Sequence, residues 1–339
     1  MKRKGPIVSI SRSVYLPAAA LAVAALAAAC GGASTAPAVQ NALHSAPVTA
    51  PLALAVRPQA LQTPALLTID YHSGALEYWP IRPKGGKAPI EIAKSVAHGG
   101  AMAANGSQVA VANAIPSQVV VYDVATNKKR VLADPFGEAA DIAIGKDGTI
   151  YVSNIRKKNA DITAYPQGSP PAKEITCGLF GVSGYIAIDD ESDIFFNGYF
   201  SNNNAGVIEI PHGGGPNACR ALNLNPETGY VSGVAIDPKT DALLTLSDPD
   251  LCAGGYEAEM TIYPKPYTPK TATVREMNAN CSGGLRLNAD SSILFYGDSD
   301  VSGSYSFIRS ATYPRGINIG TYSGRGPSGF TTIPNRLPN

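Results

Sequence analysis

Six carboxylate or amide side chains recur at one point of a repeated pattern, where a short apolar segment predicted to be a β-strand ends. They are Asp70, Asn113, Asn154, Asn197, Asp248 and Asp298. A hard cation takes about six to eight oxygen ligands, so these groups could surround Ca²⁺ or another divalent cation at one mouth of the fold. Asp and Asn also bond the backbone of their own turns. We favour this second role, because a repeat copies its structural turns whether or not anything binds.

The segments after these positions differ in length, and the longest ones are acidic. In the last two repeats, 16 residues separate the position from the Pro that ends the next strand, against 10 in the first repeat. The long segments begin with the pairs Asp248-x-Asp250 and Asp298-x-Asp300. Each pair could bind a metal ion or an amine, or could be a solvated turn. Extended loops on one face are the usual place for a ligand.

One histidine, His98, lies in a link between repeats on the same side as the long loops. The other histidines lie in turns (His72, His212) or in an N-terminal tether (His44). The sequence contains no Gly-x-Ser-x-Gly, His-Glu-x-x-His, phosphate-loop or dinucleotide motif. His98 is therefore the one candidate for a catalytic base, and a loop histidine is more often inert.

An internal repeat provides the elements that position these residues. Its clearest copy, residues 141–154, contains a strand, a tight turn at 145–148 and a second strand, and a third strand then ends in Tyr165-Pro166. Equivalent positions in successive copies are 40, 44, 48 and 51 residues apart: Ala104, Ile144, Ile188, Ile236 and Leu287. Four short strands in about 45 residues are the unit of a β-propeller blade.

The first and last pieces of the repeat are incomplete and complement each other. Residues 64–97 lack a first strand, and residues 327–334 are a first strand with nothing after it. Joining them removes the free sheet edges. We therefore predict an all-β, six-bladed propeller over residues 64–336, with four-stranded blades and a C-terminal strand that completes blade one. The predicted blades are 64–97, 98–136, 137–182, 183–231, 232–282 and 283–326.

The N-terminal segment predicts export. Residues 1–29 have the basic start, apolar run and small-residue end of a signal peptide. Cys30 follows three alanines and resembles the lipidated cysteine of a bacterial lipoprotein, with plain secretion as the alternative. Residues 30–63 are rich in Ala and Pro, which indicates a flexible tether. We expect a protein outside the cytoplasm, held to a bacterial membrane through a lipid anchor only.

Charge argues against nucleic acid as a partner. The whole chain has 27 basic and 26 acidic residues, but four of the basic ones lie in the predicted signal peptide. The remainder is slightly acidic and offers no basic field for a phosphate backbone. With 45% hydrophobic residues, the chain can bury a core, which excludes disorder of its main body.

The cysteine count fits an oxidising compartment. Five cysteines leave an odd one, but lipidation of Cys30 leaves four, which can pair in three ways. Cys252 in the blade-five loop and Cys281 in the link that leaves this blade share a face. We therefore expect a Cys252–Cys281 disulfide, with Cys177–Cys219 as the remaining pair.

The blade-three pattern, residues 141–154, resembles NHL-type repeats and the wider superfamily of six-bladed TolB-like propellers. This superfamily includes gluconolactonase-like and strictosidine-synthase-like enzymes and many non-enzymatic binders. The lactonases hold a divalent metal with a Glu of the first strand of blade one and with Asn and Asp residues. The corresponding strand here, 327–334, has no Glu, although Asn113, Asn154 and Asp248 could fill the other roles. Virginiamycin-lyase-like propellers place a histidine and a metal on such a face, which is the parallel for His98.

Two functions remain open. The first is a non-enzymatic binding or scaffold module that contacts a protein, glycan or small molecule through the long-loop face of blades three to six. The second is a divalent-metal-dependent hydrolase or lyase, lactonase-like or virginiamycin-lyase-like, that uses the Asp and Asn positions at the channel mouth. We favour the first.

Overall fold

The computed structural model describes residues 64–70, 72–81, 85–86, 88–97, 100–155, 160–179, 184–199, 205–213, 218–224, 230–248, 258–279, 282–299, 306–323 and 327–333. All of them belong to one compact unit, Thr49–Asn339. The predicted signal peptide, Cys30 and the tether lie outside the described residues. Within these ranges, none of the helices has the length and apolar character needed to cross a membrane.

Short strands dominate the described part of the chain. In order they are β1 Ala65–Asp70, β2 Leu76–Pro80, β3 Gly85–Gly86, β4 Ile90–Ala93, β5 Met102–Asn105, β6 Gln108–Asn113, β7 Gln118–Asp123, β8 Lys128–Ala133, β9 Glu138–Ile144, β10 Ile150–Ile155, β11 Ala160–Tyr165, β12 Lys173–Leu179, β13 Ile186–Ile188, β14 Ile194–Tyr199, β15 Ala205–Ile210, β16 Arg220–Ala221, β17 Tyr230–Ile236, β18 Leu243–Asp248, β19 Ala258–Tyr263, β20 Thr273–Met277, β21 Ser282–Leu287, β22 Ile293–Ser299, β23 Ser306–Thr312, β24 Asn318–Tyr322 and β25 Pro327–Ile333. Single 3₁₀ turns occupy Pro166–Gly168, Pro211–Gly213 and Pro269–Thr271.

These strands form six antiparallel blades, which confirms the predicted six-bladed propeller. Blade one has the strand order β25-β1-β2-β4, and blades two to six are β5-β6-β7-β8, β9-β10-β11-β12, β13-β14-β15-β16, β17-β18-β19-β20 and β21-β22-β23-β24. The C-terminal strand β25 pairs antiparallel with β1, from Ala65 opposite Ile333 to Asp70 opposite Pro327. The predicted closure of blade one by the C-terminal strand is therefore correct.

The core lies between neighbouring blades. Successive side chains of a strand point to opposite sheet faces, so a strand with a blade on each side is apolar throughout. In β6, Val109 and Val111 pack against blade one, whereas Ala110 and Ala112 pack against blade three. This explains why the second strands read as continuous apolar runs that end abruptly in a polar residue.

One pairing was not expected from the repeat. The two residues of β3, which lie between the third and fourth strands of blade one, pair in parallel with β24 of blade six. This contact extends the outer edge of blade six by one strand. It joins blades one and six at their periphery, whereas β25 joins the two ends of the chain near the axis.

Two faces of the propeller are distinguished below. The rim face carries the connections from second to third strands, which follow Asp70 and its five counterparts. The turn face carries the turns from first to second strands, such as residues 145–149, 189–193 and 237–242. The first strand of each blade lines the central channel. It runs from the rim face to the turn face, because the turn that follows it lies on the turn face.

Candidate functional site

The six predicted positions at the rim face, named here the rim positions, lie at or within two residues of the ends of the second strands. Five of their side chains are described, and all are buried: Asp70, Asn113, Asn154, Asn197 and Asp298 are each at most 3% exposed. The side chain of Asp248 lies outside the described residues. The rim positions therefore share a structural register, as the repeat predicts.

The rim side chains nevertheless point in different directions. Asn154 lies on the same side of β10 as Ile150 and Val152, which pack against blade two. Asn197 lies on the same side of β14 as Phe195, which packs against blade five. Because side chains of a second strand face neighbouring blades rather than the axis, the described rim side chains occupy blade interfaces.

Asp70 holds its own turn. Its Oδ1 accepts hydrogen bonds from the backbone N–H of His72 (3.1 Å) and Ser73 (2.6 Å) and from the Ser73 hydroxyl (2.7 Å). Burial by itself would raise the pKa of Asp70, but the bonds from Ser73 and His72 outweigh it and hold this pKa below its usual range. The carboxylate acts here as a turn cap of the kind expected for Asp.

Asn197 and Asp298 have other partners. The Asn197 Oδ1 accepts the backbone N–H of Tyr185 (2.6 Å), and its Nδ2 donates to the carbonyl of Val231 in blade five (2.6 Å). Asp298 forms an ion pair with Arg309 of the adjacent strand β23, and both side chains are largely buried. Asn197 therefore ties blade four to blade five, whereas the Asp298 carboxylate has a cation supplied by its own blade.

Asn154 belongs to a buried polar chain between blades two and three. Its Nδ2 donates to the Thr163 hydroxyl (2.6 Å), which donates to Asp134 Oδ1 (2.8 Å). Three buried oxygens at rim positions accept no hydrogen bond from the described residues: Asp70 Oδ2, Asn113 Oδ1 and Asn154 Oδ1. These oxygens are the ones that a cation or an ordered water could use.

An ion pair crosses the central channel. Arg286 of blade six donates from Nη2 to Asp141 Oδ1 of blade three at 2.8 Å, and Asp141 Oδ2 accepts the backbone N–H of Ile186 in blade four at 3.0 Å. The two side chains are 17% and 3% exposed. This pair therefore links three blades and obstructs the channel. Sequence analysis did not single out either residue, and an isolated Arg in an apolar first strand was the available signal.

Aspartates on the turn face make a repeated contact with the next blade. Asp189 Oδ1 accepts the N–H groups of Glu191 (3.0 Å) and Asp193 (2.8 Å), and its Oδ2 accepts the Tyr267 hydroxyl (3.4 Å). Asp237 similarly accepts the N–H of Lys239 (2.9 Å) within its own turn and bonds Tyr313 of blade six. Burial raises the pKa of both tyrosines, with a further contribution from the neighbouring aspartate. Each hydroxyl therefore stays protonated and able to donate.

The turn of blade four also gathers carboxylates that could hold a metal ion. Asp189, Glu191 and Asp193 bring oxygens within 4.8 Å of one another. The ammonium of Lys265 lies 3.1 Å from Asp189, 3.3 Å from Glu191 and 3.0 Å from Asp241. Burial would lower the pKa of Lys265, but hydrogen bonds to Asp241 and Asp189 raise it, so the lysine remains charged. A cation of the chain itself therefore already serves this cluster.

A disulfide joins Cys177, in the outer strand of blade three, to Cys219, next to the short outer strand of blade four. This is the pair expected as the remainder, and its Cα atoms are 5.8 Å apart. Cys252 and Cys281 lie outside the described residues, so their pairing stays a prediction. The disulfide fastens two blades at the periphery.

The remaining predicted site residues lie outside the described residues. These are His98, Asp250 and Asp300, together with most of the long loops that follow Asp248 and Asp298. Among the four predicted metal ligands Asp248, Asp250, Asp298 and Asp300, only the Asp298 side chain is described. The proposed roles of the others stay predictions.

No family model and no curated protein matches this chain. Among solved structures, a chain of a nidogen/laminin complex superposes with a TM-score of 0.64 at 14% identity, covering 81% of this chain and 100% of that one. TolB from Acinetobacter baumannii superposes with a TM-score of 0.60 at 10% identity, covering 79% and 66%. The chain has the fold of the six-bladed TolB-like propellers. A gluconolactonase from Xanthomonas campestris superposes with a TM-score of 0.50 at 10% identity, covering 69% and 83%. At these identities the TolB-like propeller likeness shows the fold alone.

Proposed function

We propose that this propeller is an extracytoplasmic binding module, which receives a protein partner on the long-loop rim face of blades three to six. The observation that carries the proposal is the engagement of rim side chains in the framework. Both side-chain polar atoms of Asn197 are hydrogen-bonded, to Tyr185 and to Val231, and the charge of Asp298 is neutralised by Arg309. These groups support the blades that carry the long loops, and loops on a rigid scaffold are the usual place for recognition.

The blocked channel also supports a macromolecular partner. The Arg286–Asp141 pair stands across the axis, so a molecule on the rim face meets a polar floor instead of a through-channel. Because the pair closes the axis, we infer that recognition falls to the loops around the rim face. One of the similar structures is a nidogen/laminin complex, so this fold serves protein association in at least one case.

The proposed location rests on two independent features. The Cys177–Cys219 disulfide is typical of proteins that mature in an oxidising compartment. Residues 1–29 have the pattern of a signal peptide, and Cys30 has the position of a lipidated cysteine. We propose a lipid anchor at Cys30 that holds the propeller at a membrane surface, with residues 30–63 as the tether.

Site-specific photo-crosslinking in the native host tests the binding surface. A photoreactive phenylalanine replaces Tyr256 or Tyr305 in the long loops, and the matched controls carry it at the exposed Lys146 or Lys270 on the turn face. We expect one shared crosslinked partner from both loop positions and none from the controls. Equal crosslinking from both faces, or none from either loop, would contradict the proposal.

The alternative function is a divalent-metal-dependent hydrolase or lyase. It is favoured by one observation, the three buried rim oxygens on Asp70, Asn113 and Asn154 that accept no hydrogen bond from the described residues. Bound Ca²⁺ or another divalent cation would satisfy such oxygens, and His98 would be the candidate base. Metal analysis of purified protein, followed by melting with and without a chelator, tests this function. Stoichiometric metal and a lower melting temperature after chelation would favour the enzyme over the binding module.

A further inference from the structure

Among the outer strands that the structure describes, the one of blade four is the shortest. Its β16 contains two residues, Arg220–Ala221, whereas the outer strands of the other five blades contain four to seven. In the register of β15 and β16, Glu209 lies opposite Arg220 and Ile208 lies opposite Ala221. So short a pairing is a site of local opening unless other contacts hold it.

Two side-chain contacts hold β16 in place. Arg220 forms a bidentate ion pair with Glu209 of β15, from Nε to Oε2 (2.8 Å) and from Nη2 to Oε1 (2.5 Å). The Arg220 side chain is 63% exposed, whereas that of Glu209 is 1% exposed. Cys219, which directly precedes β16, forms the disulfide with Cys177 of β12 in blade three. The ion pair therefore holds β16 to its own blade, and the disulfide holds it to the neighbouring blade.

The chain that follows β16 is held independently of the disulfide. The backbone N–H of Leu222 donates to the carbonyl of Val207 in β15 (2.9 Å). Leu224 is 8% exposed and packs in the core between blades four and five. Release of Cys219 would therefore loosen residues 218–221 from one end, while Leu224 keeps the following segment in the core.

The disulfide is accessible to a reductant, because both cysteines are half-buried at the periphery of the propeller. A dithiol reductant acts by exchange: one of its thiolates attacks a sulfur of the disulfide, and its second thiolate then breaks the mixed disulfide. Two electrons and two protons pass to Cys177 and Cys219, and the dithiol becomes a disulfide. We propose that the Cys177–Cys219 disulfide is a redox switch, whose reduction by a dithiol opens the outer edge of blade four.

Opening changes the surface of blade four in two ways. Departure of Arg220 uncovers the carboxylate of Glu209, which adds a negative charge to the surface. Departure of β16 also leaves the backbone N–H and C=O groups at the outer edge of β15 without a neighbouring strand. Such an edge can pair with an extended segment of another chain. The oxidised and reduced proteins would therefore differ in what this edge can bind.

Hydrogen exchange of the full chain, followed by mass spectrometry, tests the proposal before and after reduction with dithiothreitol. We expect the exchange of residues 218–222 to become about tenfold faster on reduction and to slow again on reoxidation. The matched control is the outer strand β8 of blade two, Lys128–Ala133, which has six residues and contains no cysteine. Its exchange should change less than twofold. Unchanged exchange of residues 218–222, or equal acceleration in β8, would overturn the proposal.

Two double variants identify the cysteines responsible. Cys177→Ser with Cys219→Ser should show fast exchange of residues 218–222 without reductant and no further change with it. The matched control, Cys252→Ser with Cys281→Ser, should respond to dithiothreitol as the wild type does. A response that persists without Cys177 and Cys219, or that disappears without Cys252 and Cys281, would refute the assignment. The wild-type comparison decides the matter by itself if either variant fails to fold.

Discussion

The rim face and the turn face both repeat Asp and Asn, but they use them differently. On the turn face, Asp189 and Asp237 make the same contact in successive blades, each capping its own turn and accepting a tyrosine hydroxyl from the next blade. On the rim face, Asp70 caps a turn, Asn197 ties two blades and Asp298 pairs with an arginine. Repetition of a residue type therefore shows a shared position, but not a shared contact.

The largest expected effect concerns the turn aspartates. Asp189→Ala and Asp237→Ala should each lower the free energy of unfolding by about 3 kcal/mol, because each removes a buried acceptor of several hydrogen bonds. Denaturant unfolding measures both values. A loss below about 1 kcal/mol in either variant would break the comparison, because that aspartate would then not hold its turn.

The rim positions should differ from one another by a smaller amount. Asn197→Ala removes two hydrogen bonds to backbone groups and should cost about 2 kcal/mol. Asn113→Ala removes a buried side chain whose Oδ1 accepts no hydrogen bond from the described residues, so it should cost about 1 kcal/mol less than Asn197→Ala. The same unfolding experiment checks both. Equal losses would mean that these positions share a role after all.

The tyrosines that donate to the turn aspartates should contribute less to the free energy of unfolding than the aspartates do. Tyr267→Phe and Tyr313→Phe each remove one hydroxyl donor to a turn aspartate and leave the ring in place. Each should cost about 1 kcal/mol, the usual net value of one hydrogen bond. Thermal melts of the two variants at neutral pH should coincide. A loss confined to one variant would show that only one of the two tyrosine–aspartate hydrogen bonds is formed in solution.

The smallest effect is a pH dependence at Asp70. The pKa of this group in the folded protein is lowered, so its stabilising contribution is present above the unfolded pKa of about 4 and is lost as pH falls through the folded pKa. Asp70→Asn should cost about 1 kcal/mol at pH 7. The difference from wild type should shrink below about pH 4 in unfolding experiments across pH. A difference that stays constant down to pH 2 would contradict the turn-cap role.

Much of the fold could be predicted because the repeat combines turn residues with apolar strands at a constant spacing. The closure by residues 327–334 followed from two incomplete copies that complement each other. The pairing of Gly85–Gly86 with β24 could not be predicted, since two glycines carry no side-chain pattern. The Arg286–Asp141 pair joins residues 145 positions apart, and only the closed ring brings them together.

The direction of a rim side chain depends on how many residues separate it from the start of its strand, and a difference of one residue reverses it. Ile150 and Ile194 begin equivalent strands and both pack against the preceding blade. Asn154 is four residues further and faces the same way, whereas Asn197 is three residues further and faces the opposite blade. A period of two reverses direction with each added residue. Counting residues from the first isoleucine of each strand distinguishes the direction of Asn154 from that of Asn197. Aligning the repeats on the polar residue hides this difference in direction.

The seam between β1 and β25 has a consequence for the order of folding. Blade one lacks its innermost strand until residues 327–333 are available, although its other strands begin at residue 65. The early part of the chain therefore cannot finish its first sheet until residues 327–333 have been synthesised, and the ring of blades closes only then. Such non-local pairing favours slow, late assembly over stepwise growth from the N-terminus.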